Sequence, residues 1–225
     1  IITADGGSNY RKEIYPEYKA NRKERFADQT EQEQKEFEMF MAEFSSTLTE
    51  LKKKHMVFQF KGVEADDIAA YISKNLDEYG FQDCWLISSD KDWDLLINDR
   101  VSRFSTVTRK ETTVYNWDDH YDFEIPDYIT FKCLTGDKGD NVPGIPGIGP
   151  KRAVQLMEQY GNVFDIYDAC PINDRYKYIQ NLNEHSEQLL MNVELMDLLT
   201  YSEEAIGESN KDIIDSEIMR YVNGD

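Results

Sequence analysis

Asp5, Glu64, Asp66, Asp67, Asp90, Asp92, Asp137 and Asp140 fall in four clusters, and each cluster stands where an apolar stretch ends. Asp5 follows Ile-Ile-Thr-Ala, and Gly62–Asp67 reads Gly-Val-Glu-Ala-Asp-Asp. Asp90 and Asp92 follow Cys-Trp-Leu-Ile-Ser-Ser, and Asp137 and Asp140 lie in Gly-Asp-Lys-Gly-Asp-Asn. Eight carboxylates converge in space only with cations to offset their repulsion. A set of oxygen ligands selects hard dications, magnesium or manganese. A pair of such ions is the usual device for phosphoryl transfer. Taken singly, each cluster also reads as helix caps and solvated acids. Four clusters, each at an element boundary, favour the metal site.

Two further constellations extend that chemistry. Glu17-Tyr18-Lys19-Ala20-Asn21-Arg22-Lys23 is basic and aromatic. Lys19 and Arg22 are three apart and can share a helical face. Cations there would hold a scissile phosphate and stabilise transition-state charge, and Tyr18 could stack on a terminal base. Gly144-Ile-Pro-Gly-Ile-Gly-Pro-Lys-Arg152 has the apolar–any–Gly–apolar–Gly pattern of a helix-hairpin-helix turn. Gly147 and Gly149 let backbone N–H groups approach a phosphate at the start of the next helix. Lys151 and Arg152 add charge just beyond. Such a turn grips a duplex backbone without reading sequence.

These groups need elements to position them. Ile1–Ala4 predicts the end of a buried strand, Met56–Phe60 a short strand and Cys84–Ile87 a parallel strand buried on both faces. Residues 10–29 predict a polar stretch with some helix. Thr30 and Glu33 form a capping box, followed by Phe37, Phe40, Met41, Phe44, Leu48 and Leu51 at helical spacing. Helices are expected from about Ala65 to Glu78 and from Lys91 to Ile97, then a hairpin of Val101–Thr106 and Glu111–Tyr115 around Arg109-Lys110. Strands alternating with helices give an α/β class with a mainly parallel sheet. Its sites form at the carboxyl ends of the strands. From about Ile125 the chain turns helical, with helices ending near Thr135-Gly136 and spanning Pro150–Tyr160, Asn162–Tyr167 and Ser186–Leu199. The acidic tail after Tyr201 carries no clear signal. The expected division is an α/β core over 1–123, with a helical region at about 10–55, and a helical lobe over 124–225.

The chain has 225 residues, 40% of them hydrophobic, and a formal net charge of -19 from 44 acids and 25 bases. That balance by itself argues against nucleic-acid binding. It is an average, however. Between Arg11 and Arg25 six bases (Arg11, Lys12, Lys19, Arg22, Lys23, Arg25) outnumber three acids (Glu13, Glu17, Glu24). Cys84, Cys133 and Cys170 are widely spaced and read as reduced core thiols. No apolar run approaches the ~20 residues of a membrane helix, and no signal peptide is evident. The chain starts at Ile1 within a strand, which reads as a fragment or a missing N-terminal part.

With these residues in view, the chain resembles the 5'-nuclease superfamily: phage 5'→3' exonucleases and flap endonucleases, and the nuclease domain of bacterial DNA polymerase I. The likeness rests on PEYKANR (16–22), GVEADD (62–67), ISSDKDWDL (87–95) and GDKGDNVPGIPGIGPK (136–151), and extends through KYIQNLN (177–183). It implies a PIN-like core with a helical arch through which a 5' single strand passes, and a helix-hairpin-helix lobe. The eight acids match the family's metal positions, with two Mg2+ that Mn2+ could replace. Lys19 and Arg22 match basic residues of the arch with a catalytic role. Tyr18, Lys23, Arg25, Gly147, Gly149, Lys151 and Arg152 are the expected DNA contacts, with K+ at the hairpin. The resemblance further implies a monomeric phage enzyme in the host cytoplasm acting on DNA 5' ends, flaps or branches. Two alternatives are an RNA-directed 5' nuclease and an impaired branched-DNA binder, the latter because family members carry an earlier strand with another metal-binding Asp.

Overall fold

The computed structural model describes residues 1–22 and 29–224. The chain opens with strand β1 (Ile2–Thr3) and the short helix α1 (Asn9–Ile14). Helix α2 (Glu31–Leu51) starts at Thr30, whose hydroxyl accepts from the Glu33 amide while Glu33 accepts from the Thr30 amide. This reciprocal box satisfies two of the orphan donors that every helix start leaves. Only Leu48 of α2 is buried. Met39, Phe40 and Met41 are exposed, so the apolar stripe read from the sequence is not an inward face.

Strand β2 (Val57–Phe58) pairs in parallel with β1. Helix α3 (Ala65–Lys74) follows, its Ile68, Ala69, Ala70, Tyr71 and Ile72 buried. Strand β3 (Cys84–Ile87) pairs in parallel with β4 (Val101–Ser105), and β4 pairs antiparallel with β5 (Lys110–Thr112). A 3-10 helix (Lys91–Leu96) crosses from β3 to β4. Among the described residues the parallel pairs form two separate pieces, β1-β2 and β3-β4-β5. The turn between β4 and β5 places Arg109, just before β5, at φ 58.

Helix α4 (Tyr128–Thr135) begins the second half. It ends at Gly136, which takes φ 71. A two-residue pairing of β6 (Gly136–Asp137) with β7 (Val142–Pro143) leads into the hairpin. Helices α5 (Pro150–Tyr160), α6 (Val163–Ala169), α7 (Lys177–Glu184) and α8 (Ser186–Met196) pack around one apolar cluster that includes Leu134, Leu156, Ile166, Leu182 and Leu189. Asp197 stops α8 and caps α9 (Leu198–Ile206), accepting from the amides of Leu199 and Thr200. Helix α10 (Glu208–Asn223) completes the chain. Sequence reading found no signal in this tail. Ile206, Ile214 and Ile218 nevertheless pack with Phe58, Ile68 and Ile72 in a cluster of the N-terminal half. Asp215 accepts from the Tyr71 and Tyr79 hydroxyls, which fastens α10 to α3. The repeat of four between Ile214 and Ile218 was present, but dense acids masked it. Among the described residues, no helix is long and apolar enough to cross a membrane.

Candidate active site

The site is assembled from element ends. Asp5 follows β1 and caps α3 from outside, its Oδ1 accepting from the Ala65 amide at 2.8 Å. Glu64 precedes α3 and Asp66 lies in its first turn, where the helix dipole tolerates negative charge. Asp90 follows β3 and caps the 3-10 helix by accepting from the Asp92 amide at 3.0 Å. Asp137 lies in β6, and its Oδ1 accepts from the amides of Gly139 (2.7 Å) and Asp140 (3.2 Å).

Shared partners join these ends into one ring. Lys19 bonds Glu64 and lies 3.5 Å from Asp140. Lys132 bonds Asp92 and stands 3.2 Å from Asp137. Arg22 reaches Asp140 at 2.7 Å. Trp93 donates its indole N–H to Asp66 at 2.5 Å. Electrostatics closes the circle: Asp66 feels the negative charges of Asp90, Glu64 and Asp5, and Asp92 those of Asp90 and Asp137.

The titration behaviour follows from this crowding. Burial, with those three neighbours, pushes the Asp66 carboxyl up to about 7 despite the Trp93 bond. Burial also raises Glu64, against the pull of Arg11 and Lys19, and raises Asp92 against that of Lys132. Asp137 is the exception. Burial works to raise it, but Lys132 and two backbone N–H groups bring it below the usual carboxylate range. Burial disfavours the charge on Lys19 and Lys132, yet their paired carboxylates raise both above an ordinary lysine.

Among the described residues, no three carboxylates stand close enough to form a metal cage as they are. Each is held instead by a cation or an N–H. The donors are all oxygens, which suits a hard dication. The lysine ammonium groups sit on the carboxylates that such an ion would compete for.

Two expectations are corrected here. Asp67 is 1% exposed, and both its oxygens accept from Arg11, Nη1 to Oδ2 and Nη2 to Oδ1, each at 2.8 Å. This fork engages both Asp67 oxygens from beneath the ring, so we read Asp67 as the counter-ion of Arg11 rather than a direct metal ligand. Tyr18 is 4% exposed and its hydroxyl bonds Asp140 at 2.8 Å, so its ring is not available to stack on a base. Lys23 and Arg25 lie outside the described residues. Sequence reading missed Arg11, Trp93 and Lys132 as site residues. Lys132 carried a signal: it is the lone charge in the α4 sequence Tyr-Ile-Thr-Phe-Lys-Cys-Leu-Thr. Arg11 carried none, because it stood within a general basic run.

The hairpin lies between α4 and α5. Gly147 takes φ +85, a conformation other residues rarely adopt, and Gly149 sits at the start of α5 with open space around it. Both are exposed. Pro150 fills the first helical position, where its missing N–H costs nothing. Arg152 folds back, donating to the Gly147 carbonyl at 2.5 Å with its guanidinium 4.6 Å from the Tyr178 ring centre. Asn181 donates to the Pro146 carbonyl at 2.7 Å. These bonds prop the turn from behind.

Residues 1–122 match the model for the 5'-3' exonuclease N-terminal resolvase-like domain, and residues 124–212 that for the 5'-3' exonuclease C-terminal SAM fold. The chain belongs to the 5'-3' exonuclease family. It is 41% identical over 217 residues to the flap endonuclease of Escherichia phage T5, covering 96% of this chain and 74% of that protein. A DNA polymerase I of Rhizobium leguminosarum is 32% identical over 164 residues, which covers 72% of this chain but 15% of the polymerase. The crystal structure of bacteriophage T5 D15 flap endonuclease in complex with DNA and metal ions superposes with a TM-score of 0.91 at 38% identity, covering 98% of this chain and 82% of that one. Family membership accounts for the resolvase-like half and the helical half.

Proposed function

We propose that this chain is a structure-selective 5' nuclease that hydrolyses DNA phosphodiesters at 5' ends and flaps with two Mg2+. The activity class is that of its family. The ion identity, the DNA form and the residue roles are our reading. The single observation that carries it is the charge of the ring. Of the eight carboxylates, Glu64, Asp67, Asp92, Asp137 and Asp140 pair with Lys19, Arg22, Lys132 and Arg11, whereas Asp5, Asp66 and Asp90 pair with none of these cations, a formal balance of four negative charges. Two dications balance that number. Asp5, Glu64, Asp66, Asp90, Asp92, Asp137 and Asp140 would hold them. When bound, such ions generate hydroxide and stabilise the departing 3' oxygen.

The chain's own residues do the rest. Lys19 and Arg22 are the catalytic cations of the segment between α1 and α2 and reach the ring's edge. On substrate entry they can exchange a carboxylate partner for the phosphate, holding it in line. Trp93 orients Asp66. Gly147 and Gly149, with Lys151, approach the downstream duplex backbone, and Arg152 keeps that hairpin in shape. Selectivity comes from substrate form, because these contacts are to backbone phosphates rather than base edges. In this division, residues 1–123 form the nuclease core, with an arch at about 10–55 for the 5' strand, and 124–225 the duplex-holding lobe. K+ at the hairpin would be held by its backbone carbonyls. The enzyme acts as a monomer in the host cytoplasm.

The test is cleavage of 5'-labelled DNA and RNA flaps in Mg2+, in Mn2+ and in EDTA. Cutting of the DNA flap in metal alone supports the reading. Equal cutting in EDTA excludes the metal mechanism, and preference for the RNA flap transfers the activity to RNA. Light scattering of the same sample checks the monomer.

A further inference from the structure

Arg11 of α1 is 2% exposed and donates to three partners on two other elements, α8 and the start of α3. Its Nε donates to the Leu195 carbonyl of α8 at 2.7 Å. Its Nη1 donates to Glu64 Oε2 at 2.9 Å and, with Nη2, it forks onto Asp67. Glu64 is therefore held from both sides, Oε2 by Arg11 and Oε1 by Lys19. The two grips differ. Lys19 stands at the ring's edge on a partly exposed side chain, whereas Arg11 sits beneath it in a planar fork.

We infer that Arg11 is a positioning residue that fixes Glu64 for the metal and ties that setting to the helical half through Leu195, with Asp67 as its counter-ion. This rests on the metal-site reading above. The argument is one of geometry. A guanidinium presents five N–H donors in a fixed plane, and four bonds to three partners fix its orientation. Bonding Asp67 through both oxygens sets the plane, and the Leu195 carbonyl sets the rotation within it. Glu64 Oε2 then has one place to go, which leaves Oε1 presented to the ring. Asp67 balances the buried guanidinium, so that Glu64 need not supply its full charge to do so. Because Leu195 belongs to α8, a shift of the helical half is transmitted to Glu64 through one side chain.

Four proteins test this: the wild type, Arg11→Lys, Asp67→Asn and the double variant Arg11→Met/Asp67→Leu. Each is melted in EDTA and titrated with Mn2+ by calorimetry. The double variant removes both charges of the fork for apolar groups of similar size, so its melting temperature should stay near that of the wild type. Its Mn2+ affinity should still fall about 10–100-fold, the usual effect of losing a group that orients a ligand. Arg11→Lys keeps the charge but not the fork, and should fold and bind Mn2+ several-fold more weakly. Asp67→Asn should lower the melting temperature and leave the number of bound ions unchanged. Wild-type Mn2+ affinity in both Arg11 variants would overturn the positioning role. Loss of an ion in Asp67→Asn would overturn the counter-ion role. A wild type that takes up no Mn2+ overturns the metal-site reading itself, and with it the part assigned to Arg11.

Discussion

Lys132 offers the sharpest test of how the ring is held together without metal. Its side chain is 7% exposed and is shared between Asp92 and Asp137, which are 26% and 23% exposed. Lys132→Met keeps the length and apolar stem but removes the charge, leaving two partly buried carboxylates facing each other. Removing one partner of a fully buried pair costs about 3–5 kcal/mol. Here water reaches about a quarter of each carboxylate, so the loss should be nearer ~2–3 kcal/mol. For a chain of this size, 1 kcal/mol corresponds to about 2–4 °C, giving a drop of about 4–12 °C in EDTA. Mg2+ should recover most of that drop, because a dication bound by the folded state alone adds stability by mass action and takes over the neutralisation. The assay is thermal melting monitored by circular dichroism, wild type and variant, in EDTA and in excess Mg2+. Equal drops in the two conditions would refute the reasoning and make Lys132 a packing residue.

Other outcomes follow from the same geometry. The Asp66 carboxyl at about 7 lies above the ~3.9 of an unfolded chain, so its stabilising contribution is complete below pH about 4 and lost as pH rises through about 7. In EDTA, Asp66→Asn should therefore flatten the fall in urea midpoint over that range, and parallel wild-type and variant profiles would contradict it. The depressed Asp137 acts oppositely, its contribution being lost as pH falls. Trp93 donates to Asp66, so Mn2+ should alter tryptophan fluorescence in the wild type, and Trp93→Phe should remove most of the change although Trp85 and Trp117 remain. Lys19→Ala should slow flap cleavage by at least about 10²-fold, in keeping with loss of one charge-stabilising donor, while flap binding by anisotropy changes little; a normal rate would reassign Lys19. A methyl group at Gly149 meets open space, so Gly149→Ala should leave melting unchanged yet weaken duplex binding, and unaltered binding would remove this glycine from the DNA contact.

The sequence by itself settled what depends on neighbours a few residues apart. The capping box at Thr30, the helix from Pro150 to Tyr160 and the β4–β5 hairpin are local decisions of side-chain bonding and backbone preference. The acidic clusters and the hairpin glycines were legible for the same reason, each being a short motif at an element end. Tertiary structure decided which groups share a partner. Asp66 and Asp67 are adjacent in the chain, yet helical rotation gives one to Trp93 and the other to Arg11. Tyr18 sits among bases but is buried against Asp140. Lys132 and Asp92 are forty residues apart, and Arg11 and Leu195 are separated by 184. A buried charge must be paired wherever the fold closes over it. Composition fixes how many charges need partners, and only the packing of α1, α3, α4 and α8 determines which partners they find.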